Sequence, residues 1–261
     1  MKISQKFGTI FTVIYSHWRR FIMNHFFTVL GGMGSLATES FVRLLNERTP
    51  TNKDQDYLDY LVVNHSSIPD RSSYILDHTQ PNPTDQLVGD IKKYSQLNPD
   101  FFVLTCNSAH YFYQEMQAAT SIPILHMPKL AVEEIKQINP AAKKVGILGT
   151  PGTIKTGIYD QFIIDQGYEP VHPTPEILAE TEKLIFEDIK AKGDVDKDRY
   201  HNILKQIQDT MHVDITILGC TELSLAQEQA PDHPYLVADA QSILADKTIE
   251  LAMRQQNKLS L

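Results

Sequence analysis

The chain contains two cysteines, and each closes a short apolar run, Phe101-Phe102-Val103-Leu104-Thr105-Cys106 and Ile215-Thr216-Ile217-Leu218-Gly219-Cys220. Runs of four to six apolar or β-branched residues bounded by turn formers predict buried strands, and in parallel sheets ligand chemistry gathers at the carboxyl ends of such strands. Two sulfurs so placed can face one crevice. A thiol ionises near pH 8.5, so it can act as nucleophile, metal ligand or proton carrier. Metal binding is poorly supported, because apart from His110 neither cysteine has a second Cys or a His at short ligand spacing. A free cysteine is most often a small packing residue. Here Asn107-Ser108 and Thr221-Glu222 follow the two thiols and open predicted helices. That would put each sulfur at a positive helix end, where its pKa falls.

Two other constellations compete for the chemistry. Cys106 and His110 are four residues apart with Asn107 beside them, the residue types of a thiol hydrolase. That reading leaves Cys220 without a role, and a base on the nucleophile's own first helical turn points away from a strand-end cleft more often than into it. The run Gly32-Met33-Gly34-Ser35-Leu36-Ala37 formally matches a dinucleotide-binding turn. Such a turn needs a carboxylate at the end of the next strand to hold the ribose, and that strand here ends Val62-Val63-Asn64-His65. Free amides of the glycine turns could instead take a small carboxylate.

The elements that must carry these residues repeat. A strand enters a glycine turn at Gly31 and again at Gly149, and Cys106 and Cys220 follow 75 and 71 residues later. The spacing suggests a duplicated α/β unit, with chance recurrence of a common strand-glycine-helix pattern as the alternative. Strands are expected over 26–30, 57–64, 101–105, 122–126, 144–148, 214–218 and 235–237. Helices are expected from Leu36, from Thr84, from Ser108, over 130–138, from Ile154, from Pro175, over 196–211 and over 240–253. Strand and helix alternate almost throughout. The fold class is therefore α/β, with two similar, pseudo-symmetric parallel-sheet domains and the active site in the cleft between them. The expected division is 1–22 as an extension outside the fold, 23–126 as the half carrying Cys106, and 127–261 as the half carrying Cys220, with the C-terminal helix free to pack back on the first half.

Composition sets the outer limits. Of 261 residues, 24 are Lys or Arg and 32 Asp or Glu, and the net charge of −8 offers no footprint for nucleic acid or an anionic membrane. Two cysteines fit a reducing, cytoplasmic setting better than a disulfide framework. The apolar stretch 7–15 is too short to span a bilayer and is followed by Trp18-Arg19-Arg20, not by small cleavage-site residues. Met23, just before the first strand, reads as an alternative start.

Together, Gly31-Gly32-Met33-Gly34 with Ala37-Thr38, Ile68-Pro69-Asp70-Arg71, Thr105-Cys106-Asn107-Ser108-Ala109-His110 and Leu218-Gly219-Cys220-Thr221-Glu222-Leu223 resemble the aspartate/glutamate racemase family, most closely its aspartate racemase branch. The resemblance implies a racemase, commonly a homodimer, that acts on a small acidic amino acid without pyridoxal phosphate, another cofactor or a metal. One cysteine would lie on each side of the substrate. It also implies a substrate site drawn from Gly32, Met33, Arg71, Asn107, Ser108, Thr150, Lys190, Thr221 and Glu222. Arg71 and Lys190 would hold the distal carboxylate, with Lys192 the alternative to Lys190. Ser35 and Ser108 depart mildly from the family's usual proline and threonine.

Overall fold

The computed structural model describes residues 23–257; the expected N-terminal extension lies outside them. Eight short strands made largely of apolar residues pair into two parallel sheets. Strands β1 (Phe27–Gly31), β2 (Tyr60–Asn64), β3 (Phe102–Leu104) and β4 (Ile124–Leu125) are ordered β2-β1-β3-β4. Strands β5 (Lys144–Gly149), β6 (Glu169–Val171), β7 (Ile215–Gly219) and β8 (Val237–Asp239) are ordered β6-β5-β7-β8. The second order is the first with four added to every number, so the duplication suggested by the glycine–cysteine spacing is a duplication of topology. Register carries it to the site. Leu30 pairs with Leu104 and Gly149 with Gly219, so in each sheet the cysteine stands just past the carboxyl end of the strand beside the glycine-turn strand.

The helices are α1 (Ser35–Arg48), α2 (Arg71–Leu76), α3 (Thr84–Ser95), α4 (Tyr113–Ala118), α5 (Met127–Ile138), α6 (Pro151–Thr156), α7 (Asp160–Asp165), α8 (Pro175–Lys183), α9 (Lys197–Lys205), α10 (Thr221–Gln229) and α11 (Ala240–Gln255). Strand side chains alternate between faces, and the core follows that alternation. Phe27, Val29, Phe101 and Val103 of the first sheet and Val145, Ile147, Ile215 and Ile217 of the second join one apolar cluster with α5 and α11. The opposite set, Leu30, Phe102 and Leu104, packs with Leu87, Ile91 and Met116 of the outer helices. In the second sheet Leu148 and Leu218 pack with α8, α9 and α10. The cluster shared by both halves fixes the cleft between them. Helix α11 crosses to α1, where Arg48 bonds Ser242 and Asp246, and also meets α5, where Lys247 pairs with Glu134.

Several element boundaries differ from those read in the sequence, for local reasons. β2 begins at Tyr60 because Asp54–Asp56 forms a 3₁₀ turn whose Asp56 carboxylate accepts the Asn52 and Lys53 amides. α5 starts at Met127, capped by the His126 ring on the Lys129 amide and helped by Pro128 in the first turn. α6 starts at Pro151 with Thr150 as its cap and stops at Gly157, which is left-handed. The helix expected over 196–211 is α9 continued by a π-helical turn at Gln206–Thr210, and α8 runs on likewise through Leu184–Lys190. After Cys106 the chain forms a 3₁₀ turn, Ser108–Phe112, before α4.

Candidate active site

The carboxyl ends of β1, β3, β5 and β7 converge on one narrow cleft. Met33, Asp70, Arg71, Ser72, Cys106, Asn107 and Ser108 line it from the first half, and Thr150, Thr153, Lys190, Gly219, Cys220, Thr221 and Glu222 from the second. Both thiols are buried and unbridged, one contributed by each sheet. The Cys106 sulfur has the Ser108 hydroxyl at 3.5 Å. The Cys220 thiol donates to Glu222 Oε2 at 2.9 Å. Burial first, and then the Glu222 charge, push the Cys220 thiol well above the ordinary range, against the pull of Lys190. The lowering expected from a helix N-terminus is therefore overturned for Cys220: a fully buried sulfur beside a carboxylate outweighs the dipole of α10.

Glu222 is the hub of the second half. Its Oε1 lies 3.6 Å from Lys190 Nζ while Oε2 accepts the hydrogen bond of the Cys220 thiol. Lys190 also sits over the Phe186 ring at 5.0 Å. Burial alone would lower the Lys190 ammonium, but Glu222 and the two thiols outweigh it and hold the pKa above its usual value. Lys190 is 25% exposed and faces the cleft, whereas Lys192 is 62% exposed and paired with Asp188 at 2.8 Å. Gly34 makes room for this carboxylate, since a Cβ there would stand 2.8 Å from Glu222 Oε1.

Arg71 is only 5% exposed. Its Nη1 donates to the carbonyls of Ile68 and Pro69 at 3.2 and 3.0 Å and its Nη2 to that of Met33 at 2.7 Å, while Nε has no protein partner. Asp70, the cap of α2, accepts the Ser73 amide and hydroxyl. Burial works to raise its pKa, but the Ser73 bonds and Arg71 more than offset that and keep the carboxyl below its usual range. Thr150 caps α6 and also accepts the Ser72 hydroxyl at 2.7 Å, a bond that ties the two halves across the cleft floor. Asn107, 2% exposed, accepts the Tyr159 hydroxyl on Oδ1 and leaves Nδ2 without a protein partner. Thr221 Oγ1 lies 3.4 Å from Glu222.

Ser72, Thr153 and Tyr159 carry no signal of their own in the sequence, and Asp70 stands there only as part of the Ile68–Arg71 motif. Asp70 and Ser72 flank Arg71 in the sequence; Tyr159 lies in the turn between α6 and α7, with no local signal. Gly32 is not among the residues lining the cleft. Its amide donates to Thr38 Oγ1 at 3.0 Å, so it is not free for a carboxylate. Its φ of +88°, and a His65 backbone that would stand 2.5 Å from any Cβ added there, explain the glycine without any ligand. His110 is equally occupied: Nδ1 bonds the Cys106 carbonyl at 2.9 Å and Nε2 takes the Met127 amide at 3.1 Å. Burial lowers its pKa, and it braces the backbone of the Cys106 turn with no ring nitrogen left to act as a base for the thiol. Among the described residues no three His, Cys, Asp or Glu side chains gather as a metal site, and no helix is long and apolar enough to cross a membrane.

Residues 30–248 match the Asp/Glu/hydantoin racemase family. The chain belongs to that family. Membership bears out the resemblance carried by the two cysteine motifs, and with it the expectation of an amino-acid racemase. The broad-specificity amino-acid racemase RacX of Bacillus subtilis is 26% identical over 235 residues, covering 88% of this chain and 99% of that protein. A glutamate racemase from a Nitratiruptor species is 24% identical over 63% of this chain and 65% of its own length. Among solved structures, Picrophilus torridus aspartate racemase superposes with a TM-score of 0.73 at 26% identity, over 88% of this chain and 94% of that one. An aspartate racemase homologue from Pyrococcus horikoshii shares the fold, with a TM-score of 0.69 at 24% identity over 87% and 98%. The two four-stranded parallel sheets of this racemase are thus the two-domain fold of its relatives.

Proposed function

We propose that this racemase interconverts L- and D-aspartate, or the closely related glutamate, by proton transfer between two cysteines, without a cofactor. The observation that carries the reading is the single cleft into which two topologically equivalent strands each deliver a buried thiol. Inverting an α-carbon means removing its proton on one face and supplying another on the opposite face, so two acid/base groups must start in opposite protonation states. One sulfur, as thiolate, takes the α-proton; the other, as thiol, gives its own to the far face of the carbanion; the reverse reaction exchanges the roles. Asn107, Thr150 and Thr221 are the donors proposed for the α-carboxylate, where charge develops as the proton leaves. Arg71 and Lys190 supply positive charge for the distal carboxylate.

A second reading, racemisation of longer amino acids, is favoured by one feature. Past Asp70, Ser72 and Lys190 the cleft opens into a wider outer space of about 490 Å³ that Leu76, Pro151 and Phe186 also line. Incubating the protein with L-aspartate in deuterated water, without added cofactor, tests the first reading. Deuterium at Cα together with D-aspartate is the expected result, and neither product would overturn it. A panel of enantiopure amino acids run in parallel decides between the two substrate ranges. A protein that binds carboxylates but exchanges no α-proton would be a silent member of the family.

A further inference from the structure

We propose that Tyr159 is a positioning residue whose hydroxyl, reaching over from the second half, fixes the Asn107 side-chain amide beside Cys106 with its N–H pair turned to the substrate. The proposal rests on the two-thiol reading of the cleft. Tyr159 stands just before α7, fully buried in the apolar cluster shared by the two sheets. Its ring fits beneath the carboxyl end of β7 because residue 219 is glycine: a Cβ there would come within 3.1 Å of Tyr159 Cε2. From that seat next to Cys220 the hydroxyl donates to Asn107 Oδ1 in the other half.

The direction of this hydrogen bond sets the amide. Burial, reinforced by the neighbouring Cys220 and Asp239, holds the phenol well above its ordinary pKa, so the hydroxyl keeps its proton. A phenol donor prefers the oxygen end of the amide, and the Nδ2 end is then turned elsewhere. Nδ2 is buried and has no protein partner, although Asn107 lines the cleft. An unpaired buried donor is costly, and an acceptor within the cleft, such as a substrate carboxylate oxygen, satisfies it. Without the hydroxyl the amide can turn over and present its oxygen to that carboxylate, which repels it. Packing needs only the ring, which phenylalanine would supply, so the hydroxyl is left to hold Asn107.

The test is a double-mutant cycle combined with the amide signal. Tyr159→Phe should lower kcat/KM for aspartate at least tenfold, yet change it less than twofold in an Asn107→Ala background, because the hydroxyl acts only through Asn107. In ¹⁵N spectra the Asn107 side-chain amide, assigned by its loss in Asn107→Ala, should be one sharp pair in the wild type and doubled or broadened in Tyr159→Phe. An equal loss in both backgrounds, or an amide pair unchanged by Tyr159→Phe, would overturn the proposal. The spectra decide the positioning even if the wild type exchanges no α-proton, an outcome that would instead strike the two-thiol reading.

Discussion

Cys220 does not stand alone at its strand end: its thiol donates a hydrogen bond to Glu222, which in turn faces Lys190. The arrangement keeps this sulfur protonated when the cleft is empty, which suits the acid partner of a thiol pair. Glu222→Gln removes the negative charge that, after burial, holds the Cys220 pKa up, and leaves burial alone to oppose the lowering pull of Lys190. The Cys220 pKa therefore falls, and the alkaline limb of the racemisation–pH profile should move to lower pH; an unmoved limb would take Glu222 out of the titration. Arg71 behaves differently from a surface cation reaching for substrate. Its guanidinium satisfies three backbone carbonyls, so Arg71→Ala should cost stability as well as activity, by about 1–3 kcal/mol for each carbonyl left buried and unpaired. Arg71→Lys, which keeps the charge but loses the planar fork, should melt closer to wild type while still losing kcat/KM for dicarboxylates. Equal activity in Arg71→Lys and wild type would show that Arg71 only props the loop.

Elements were legible in the sequence to the extent that one physical signal dominated them. The strand ends holding Cys106 and Cys220 are short apolar runs, and both appear within a residue or two of where the alternation puts them. Starts set by caps were missed where the capping atom was unusual or overlooked, as with the His126 ring, or with Thr150, whose hydroxyl both caps α6 and meets Ser72. The π-helical continuations of α8 and α9 carry no distinct pattern in a run already periodic. The glycines of the first turn were legible as a pattern but not in their purpose. Gly34 caps α1 with ordinary extended backbone, so the fold can accept alanine there, but the added Cβ must push Glu222 aside. Gly34→Ala should therefore melt within a few degrees of wild type while kcat/KM falls severalfold; full activity would mean that the carboxylate's position does not matter. The junction into α5 offers a stability test. Burial and then His110 depress the His126 pKa to about 3, against an unfolded value of about 6.5. With the folded pKa below the unfolded one, this stabilisation is whole above pH 6.5 and is lost as the pH falls towards 3. His126→Asn should flatten the decline in melting temperature across that window, and an unchanged slope would assign the decline to other groups.

At the scale of the molecule, two copies of one topology share a core and turn matching strand ends towards one cleft. The apolar cluster formed by both sheets with α5 and α11 holds the halves together, and Ser72–Thr150 and Tyr159–Asn107 stitch them at the level of the sulfurs. Two-fold likeness in the scaffold is what a reaction at both faces of one carbon needs. The halves differ around the sulfurs, with Glu222 and Lys190 beside one thiol and Ser108 beside the other, and the proposed reaction needs the two sulfurs in opposite protonation states. The central claim is that both sulfurs carry the proton. Its most direct test is the rate at which Cys106→Ser and Cys220→Ser each racemise aspartate from either enantiomer, with melting temperature as the control for folding. A serine hydroxyl is far too weak an acid to cycle as a thiol does, so each variant should lose racemisation by orders of magnitude while remaining folded. Loss in only one of them would point to a single-thiol reaction, and full activity in both would return the two cysteines to the role of packing residues.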